Sequence, residues 1–230
     1  MRLWEFCMLK DERMKAIYSA LREGVTVMDV GTDHALIPIE LILSGKAPKC
    51  ILTDISAPSL EKGVKNAKKA LCGDKITAYC TNGTLGVPLE GETDVIIAGM
   101  GGELIAEIIE QDPRFKNEGI RLVAQPMSKA EVLREYLAKN GFEVTAEVKV
   151  ESCGRIYSVI SAFYTGNVKE LSNKQAYLGF FINADDPLED SYKNKVVKAL
   201  RTKLDGLKSA EKVNEEEISE LSSVIKEITE

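Results

Sequence analysis

The stretch TVMDVGTDHALIPIELIL, Thr26 to Leu43, is an apolar run broken by one glycine turn and resumed at helical spacing. It predicts a buried strand over Thr26–Val30 and a helix over Leu36–Leu43. The alternation then repeats. Strand-like runs fall at Cys50–Thr53, Ile76–Cys80, Val95–Ala98 and Leu122–Gln125, with helical patterns at Ser59–Leu71, Glu103–Glu110 and Lys129–Asn140. Strands joined through helices run parallel, because the helix takes the return leg, and both sheet faces are then covered. The last of these helices closes on Asn140-Gly141, a common stop. Phe142–Val150 and Ile156–Phe163 follow with no helix between them, which predicts an antiparallel hairpin at one edge. The expected class is therefore α/β, with a mostly parallel sheet.

The texture changes after Tyr164-Thr165-Gly166-Asn167. Apolar positions now run Val197, Leu200, Leu204, Leu207 and then Ile218, Leu221, Ile225, Ile228, in the three- and four-residue steps of a coiled-coil seam. Glu211 and Asn214 break a continuous seam, and Lys208 to Asn214 reads as a turn. Two antiparallel helices, over 188–208 and 214–229, are expected, with a further helix near Asn173–Ile182. The chain divides into residues 1–165, the sheet unit, and residues 166–230, a helical coiled-coil unit.

No apolar run approaches the roughly 18 residues of a membrane span. The N-terminal MRLWEFCMLKDERMK lacks a signal core, so a cytoplasmic protein is expected. Cys7, Cys50, Cys72, Cys80 and Cys153 are scattered with no CxxC pair and are expected to be reduced thiols, mostly buried. His34 is the single histidine, which excludes a histidine-rich metal site, and no metal is expected. A net charge of −6 argues against a general polyanion binder and leaves any grip on nucleic acid to a local basic face.

In a doubly wound sheet, ligands sit beyond the carboxyl ends of the strands, where strand order reverses. The turn Asp29-Val30-Gly31-Thr32-Asp33-His34-Ala35 is expected there. Gly31 permits the tight turn, but Asp33 and Ala35 stand where a dinucleotide fingerprint has its second and third glycines. A carboxylate facing a diphosphate repels it. S-adenosylmethionine (SAM), with a sulfonium, an ammonium and no phosphate, suits the turn better: Asp29 and Asp33 offer acceptors to its methionyl end. The alternative is that Asp33 only caps the helix. Asp54, 23 residues beyond Gly31 at the end of the second strand, has the place and chemistry of a ribose-diol acceptor. Its alternative is the N-cap of a helix starting near Pro58. Asn82, in Cys80-Thr81-Asn82-Gly83, carries a donor and an acceptor suited to an adenine edge, or is a plain Asn-Gly turn.

Taken in order, DVGTDHALIP, LTDIS, TNGTL, IIAGMGGELI, LVAQPM and GRIYSVI resemble the bacterial tRNA adenine-N1 methyltransferase family, whose members modify adenine 22 in the D-arm region. The resemblance runs from about Leu9 to Phe163, and the family also carries a C-terminal coiled coil. It implies a Rossmann-like class I methyltransferase sheet, SAM as cofactor and tRNA as partner. It places Asp29, Gly31, Thr32, Asp33, His34, Asp54, Ile55, Asn82, Gly83, Ala98, Gly99, Met100 and Gly101 around the cofactor. Gln125 and Pro126 fall on the substrate side. Three positions depart from the family pattern: Leu36 for Tyr, Met127 for the Asn of QPN, and Thr81-Asn82-Gly83-Thr84 for GDGL.

Gly99-Met100-Gly101-Gly102 follows the fourth strand, where amino-directed methyltransferases usually carry an Asn/Asp-Pro-Pro-Tyr motif. Its absence argues against an exocyclic amine target; N1 of adenine has a free lone pair and needs no base. The same glycines also suit a strand-to-helix turn with φ > 0. Asp29, Asp33 and His34 are candidates to stabilise the charge that develops on the base, though His34 also reads as a helix-start residue with a satisfied ring. Lys193, Lys195, Lys198, Arg201 and Lys203 crowd one C-terminal helix as a candidate tRNA face, and Lys10, Arg13, Lys15 and Arg22 form a second candidate patch. No obligate protein partner is expected, and the chain reads as a monomer or weak dimer. The alternatives are a small-molecule or protein methyltransferase, or a SAM- or RNA-binding module without catalysis.

Overall fold

The computed structural model describes residues 9–89, 91–180, 186–210 and 214–230. Seven strands form one sheet: β1 (Thr26–Val30), β2 (Cys50–Asp54), β3 (Ile76–Cys80), β4 (Thr93–Gly101), β5 (Ile120–Ser128), β6 (Phe142–Ser152) and β7 (Arg155–Tyr164). Their order is β3-β2-β1-β4-β5-β7-β6. The first five run parallel, while β7 joins β5 antiparallel and β6 pairs with β7. The chain builds outward from β1 through β2 to β3, then returns with β4 on the other side of β1. That reversal leaves a crevice at the carboxyl ends of β1 and β4.

Every parallel strand is framed by helices. On one face lie α1 (Glu12–Ala20), α2 (Leu36–Leu43) and α3 (Ala57–Lys69); on the other lie α4 (Gly102–Gln111) and α5 (Ala130–Lys139). The two-residue period of a strand sorts the core between them. Val27, Ile96 and Val123 pack toward α1 and α2, whereas Met28, Val95, Ile97 and Leu122 pack toward α4 and α5. Continuing that period, Asp29, Ala98 and Gln125 project from the strand ends on the α1–α2 side.

The central strands run longer than the sequence predicts. β4 continues through Gly99 to Gly101, with register shifts against β5 at Met100. The glycine run is thus a bulged strand end leading directly into α4, with Gly99 at φ +79°. Helix α1 was not among the expected elements. Asp11 caps it by accepting from Arg13 N–H, and Ile17 is buried on its inner face.

Beyond β7, α6 (Asn173–Leu178), α7 (Pro187–Lys208) and α8 (Glu215–Thr229) pack around Leu178, Tyr192, Val197, Leu200, Leu221, Ile225 and Ile228. α6 ends at Leu178, short of the expected Ile182; residues 181–182, like part of the turn at 211–213, lie outside the described residues. Among the described cysteines, Cys50 and Cys72 are buried but Cys80 and Cys153 are exposed, so "mostly buried" overstates it. Cys7 lies outside the described residues. Among those residues, no helix is long and apolar enough to cross a membrane.

Candidate cofactor and substrate site

Two hollows meet at Gly31 in the crevice. One, of about 300 Å³, is lined by Asp29, Gly31, Thr32, Asp33, His34, Ala98, Gly99 and Gln125, with Arg13, Met14 and Ile17 of α1 closing it. The other, of about 310 Å³, is lined by Gly31, Asp54, Ile55, Asn82, Gly83 and Met100. Gly31 adopts φ +77°, and the Met100 methyl occupies the space of any Cβ there. A side chain there is strained at this φ, and its Cβ would have to displace the Met100 methyl. Of the thirteen predicted cofactor residues, only Gly101 lines neither hollow; the space where its Cβ would stand faces Ser128 Oγ at 3.4 Å.

The turn itself is built by backbone bonds. Gly31 and Thr32 N–H both donate to Thr53 O, at 2.8 and 3.1 Å, tying the end of β1 to β2. Helix α2 begins after Ala35, which takes a left-handed φ of +55° and offers no side-chain cap. The idea that Asp33 merely caps this helix is therefore wrong. Asp33 instead meets Lys62 Nζ at 3.2 Å and His34 Nε2 at 3.0 Å, with all three side chains about half exposed. Among the described residues the first amides of α2 have no side-chain cap, leaving a partial positive charge at the crevice.

Asp29 is different. Its Oδ2 accepts from the Thr32 hydroxyl, and among the described residues no cation pairs with it. Burial pushes its carboxyl up to about 6, with the Thr32 bond pulling it partly back and the nearby Asp54 charge adding to the rise. Asp54 is not the cap of α3 either: Ser56 holds that position and accepts from Ser59 N–H. Asp54 Oδ1 accepts from Ser56 N–H at 2.6 Å. Among the described residues Oδ2 has no partner, and it is left to the hollow.

Asn82 sits in a tight loop whose backbone turns through Leu85 N–H to Asn82 O. Asp112 and Arg114 hold the loop from behind. The Thr84 hydroxyl donates to Asp112, and Arg114 donates to Thr84 O at 2.7 Å and to Val87 O. Neither residue was expected to matter, and isolated charges after a helix give no positional signal.

Gln125 is buried at the end of β5. Its amide Nε2 donates to Pro126 O at 3.0 Å, while Oε1 makes no hydrogen bond among the described residues. Met127 is exposed at the rim, and its Sδ lies 3.3 Å from Arg13 Nη1.

A family described as "Methyltransferase domain" matches residues 10–160. The chain belongs to this methyltransferase-domain family. It is 32% identical over 152 residues to the tRNA (adenine(22)-N(1))-methyltransferase of Bacillus subtilis, covering 66% of this chain and 63% of that protein. The aligned stretch therefore spans less than two thirds of that relative. A solved structure of a putative tRNA (m1A22) methyltransferase from Streptococcus pneumoniae superposes with a TM-score of 0.82 at 28% identity, covering 96% of this chain and 98% of that one. The same Streptococcus protein has been solved in complex with S-adenosyl-L-methionine, at a TM-score of 0.79 and 26% identity, over 95% and 99% of the two chains. Within a methyltransferase domain the joined hollows are the expected cofactor crevice.

The predicted RNA-contacting residues lie apart from it on α7. Lys195, Lys198 and Arg201 are exposed; Lys195 Nζ turns back to Ile156 O of β7 at 2.8 Å, while Lys198 and Arg201 have no ion pair among the described residues. Lys203 pairs with Glu217 at 3.1 Å, and Lys193 is half-buried, so the face is narrower than the sequence suggests. The second candidate patch narrows to Lys10 and Lys15, which stay exposed. Arg22 closes on the buried Asp94 at 2.7 Å, at the opposite end of β4, and Lys15 meets Glu12. Arg13 turns toward Asp11 and the cofactor hollow.

Proposed function

We propose that the protein is a SAM-dependent tRNA methyltransferase acting on N1 of an adenine, adenine 22 in the D-arm region. The observation that carries the cofactor choice is Asp29, a half-buried carboxylate with no cationic partner among the described residues, facing a hollow that joins a second one at Gly31. A cationic ligand supplies the missing charge; a diphosphate would add to the repulsion.

The residues present fit SAM along its length. Asp29, with Asp33 at the mouth, receives the ammonium and sulfonium end, and the uncapped amides of α2 receive the carboxylate. Asp54 Oδ2 accepts from the ribose diol, and Asn82 meets the adenine edge. When bound, SAM supplies an electrophilic methyl group. The chain's part is positioning and water exclusion. Gln125 Oε1, on a buried side chain that lines the crevice and without a partner among the described residues, accepts from the exocyclic amine of the target adenine and so turns the adjacent N1 toward the crevice. Guanine presents an oxygen there and is rejected. No base is required, because N1 already carries its lone pair. Asp29, once ionised, offsets the positive charge that grows on the ring. Asp33 and His34, engaged with each other and Lys62, are left to the cofactor side.

Residues 1–165 form the catalytic unit in this reading, and residues 166–230 a coiled-coil unit presenting Lys195, Lys198 and Arg201 to tRNA. The buried seam of α7 and α8 supports that division. A cytoplasmic monomer or weak dimer without an obligate protein partner completes it. The test is methylation of unmodified tRNA with labelled SAM, followed by nucleoside mapping. N1-methyladenosine at a single D-arm position is expected. Label on N6, or none on RNA, would refute the proposal.

A further inference from the structure

A third hollow, also of about 300 Å³, lies between the end of β5, the start of β7, the first turn of α5 and helices α6 and α7. It adjoins the catalytic crevice along a single strand: Gln125 lines one, and Pro126 and Met127 line the other. Arg13 lies 5.0 Å from the Tyr157 ring centroid and also reaches Met127 Sδ. Tyr157, Tyr177 and Tyr192 give this hollow an aromatic lining, and Lys129 and Lys195 stand at its edge.

We propose that this hollow receives the nucleobase adjacent to the one methylated, so that two neighbouring bases leave the RNA stack together. The inference rests on the RNA-methyltransferase reading above. Presenting N1 to the crevice requires the target base to leave its stack, which costs a few kcal/mol. The neighbouring base then loses its stacking partner on that side. An aromatic hollow one strand residue away replaces that partner, and stacking of this kind is indifferent to base identity.

Of the charged residues lining the hollow, Glu131 is acidic and Lys129 is paired with Glu103 at 2.5 Å, which leaves Lys195 as the cation for a nucleotide phosphate. Lys195, held by its bond to Ile156 O at 2.8 Å, stands over the hollow. Lys198 and Arg201 continue from it along α7, on the line a phosphate backbone would follow. Tyr177 is half-buried, and its hydroxyl makes no hydrogen bond among the described residues. Burial pushes its pKa up, so it stays a donor at neutral pH. It is placed to donate to a base edge.

The test uses tRNA lacking one base, immediately 5′ or 3′ of the methylated adenine, with the full-length enzyme. One of the two abasic substrates is expected to lose about tenfold in kcat/KM, the value of one base stacked on an aromatic side chain. Ala199→Trp fills the mouth of the hollow from an exposed helical position. It is expected to lower activity on intact tRNA by a similar factor, to leave SAM affinity unchanged and to abolish the penalty of the abasic site. Tyr177→Leu serves as a second variant with the same expected coupling, each checked for an unchanged melting temperature. If both abasic substrates are methylated like intact tRNA, the hollow holds no base. Equal losses by the variants on intact and abasic RNA would make it a packing void, which also overturns the proposal. If the unmodified enzyme methylates no tRNA at all, the parent reading falls and takes this site with it; that outcome is read from intact substrate alone and is distinct from the other two.

Discussion

Glu147 in β6 and Asp29 in β1 are both carboxylates enclosed by the same sheet, and the chain surrounds them in opposite ways. Glu147 has no exposed side-chain surface. It is held by Arg134 Nη2 at 2.6 Å and Lys149 Nζ at 2.5 Å. Phe180 N–H adds a third donor, and the Glu147 carboxylate lies 2.7 Å from where a Cβ at Gly179 would stand. Arg134 also donates to Ala176 O and Tyr177 O at the end of α6, to Ser158 and to Tyr192 of α7. The cluster therefore clasps the helical unit to the sheet. Its cations hold the Glu147 carboxyl down at about 2 despite burial, whereas burial without a cation pushes Asp29 up to about 6. One carboxylate is complete without any other molecule. The other becomes complete only when a cation arrives, and that separates a joint from a binding site.

The sharpest way to break this contrast is to remove the partner at the joint. Glu147→Ala leaves Arg134 and Lys149 buried without an anion, and a loss of about 3–5 kcal/mol in unfolding free energy is expected by denaturant titration. Because its folded pKa is depressed, the Glu147 contribution is present at neutral pH and is lost as pH falls from about 4.5 toward about 2. A loss under about 1 kcal/mol would mean the cluster is no clasp.

Next in size is the ribose acceptor. Asp54→Ala removes an unpartnered oxygen from the hollow, and cofactor affinity should fall by about 2–3 kcal/mol, the worth of hydrogen bonds to a charged group. Stability should fall by only about 1 kcal/mol, since Ser56 N–H alone loses its acceptor. Undiminished SAM affinity by calorimetry would remove the ribose assignment.

Asp29→Asn should act oppositely on stability and binding. An acid whose folded pKa lies above its ordinary value binds protons the unfolded chain has released, so its ionisation destabilises the fold progressively from about pH 4 to about pH 6. At pH 7.5 the variant should be more stable by about 1–2 kcal/mol. It should also bind SAM more weakly by a similar amount. In the parent protein SAM affinity should rise with pH up to about 6 and then level, and the variant should show no such rise. A flat profile in both proteins would detach Asp29 from the cofactor.

This contrast also explains what the sequence could reveal. Asp29, Gly31, Asp54 and Asn82 sit at or just beyond strand ends, so periodic apolar runs locate them to within a residue or two. Gln125 was reachable in the same way. The cap of α2 was not, because Ala35 takes a left-handed conformation that nothing in its identity signals. Helix α1 was legible in principle: Asp11 as cap, then Met14, Ile17 and Leu21 at helical steps. Its charged residues Arg13 and Lys15 read equally well as an RNA face. The Arg134–Glu147 clasp was illegible, since it joins residues thirteen apart on different elements through a register that only the folded sheet defines. Lys203 and Arg22 show the same limit, being spoken for by Glu217 and Asp94.

The smallest effect tests the remaining difference, between a crevice that binds a small cation and a helix that meets a polyanion. Lys198→Ala and Arg201→Ala lie on the exposed side of α7, away from the clasp and the crevice, so stability and SAM affinity should stay within about 0.5 kcal/mol of the parent. Their tRNA affinity should fall modestly at low salt. The more telling quantity is its salt dependence. Each phosphate contact contributes about 0.7–0.9 to the slope of log affinity against log salt. The double variant should thus lose about 1.5 from the slope if both residues meet phosphates. An unchanged slope with weaker binding would move the RNA off α7. A slope that falls while methylation of a short D-arm stem-loop is unaffected would confine α7 to the grip and leave reading of the base to Gln125.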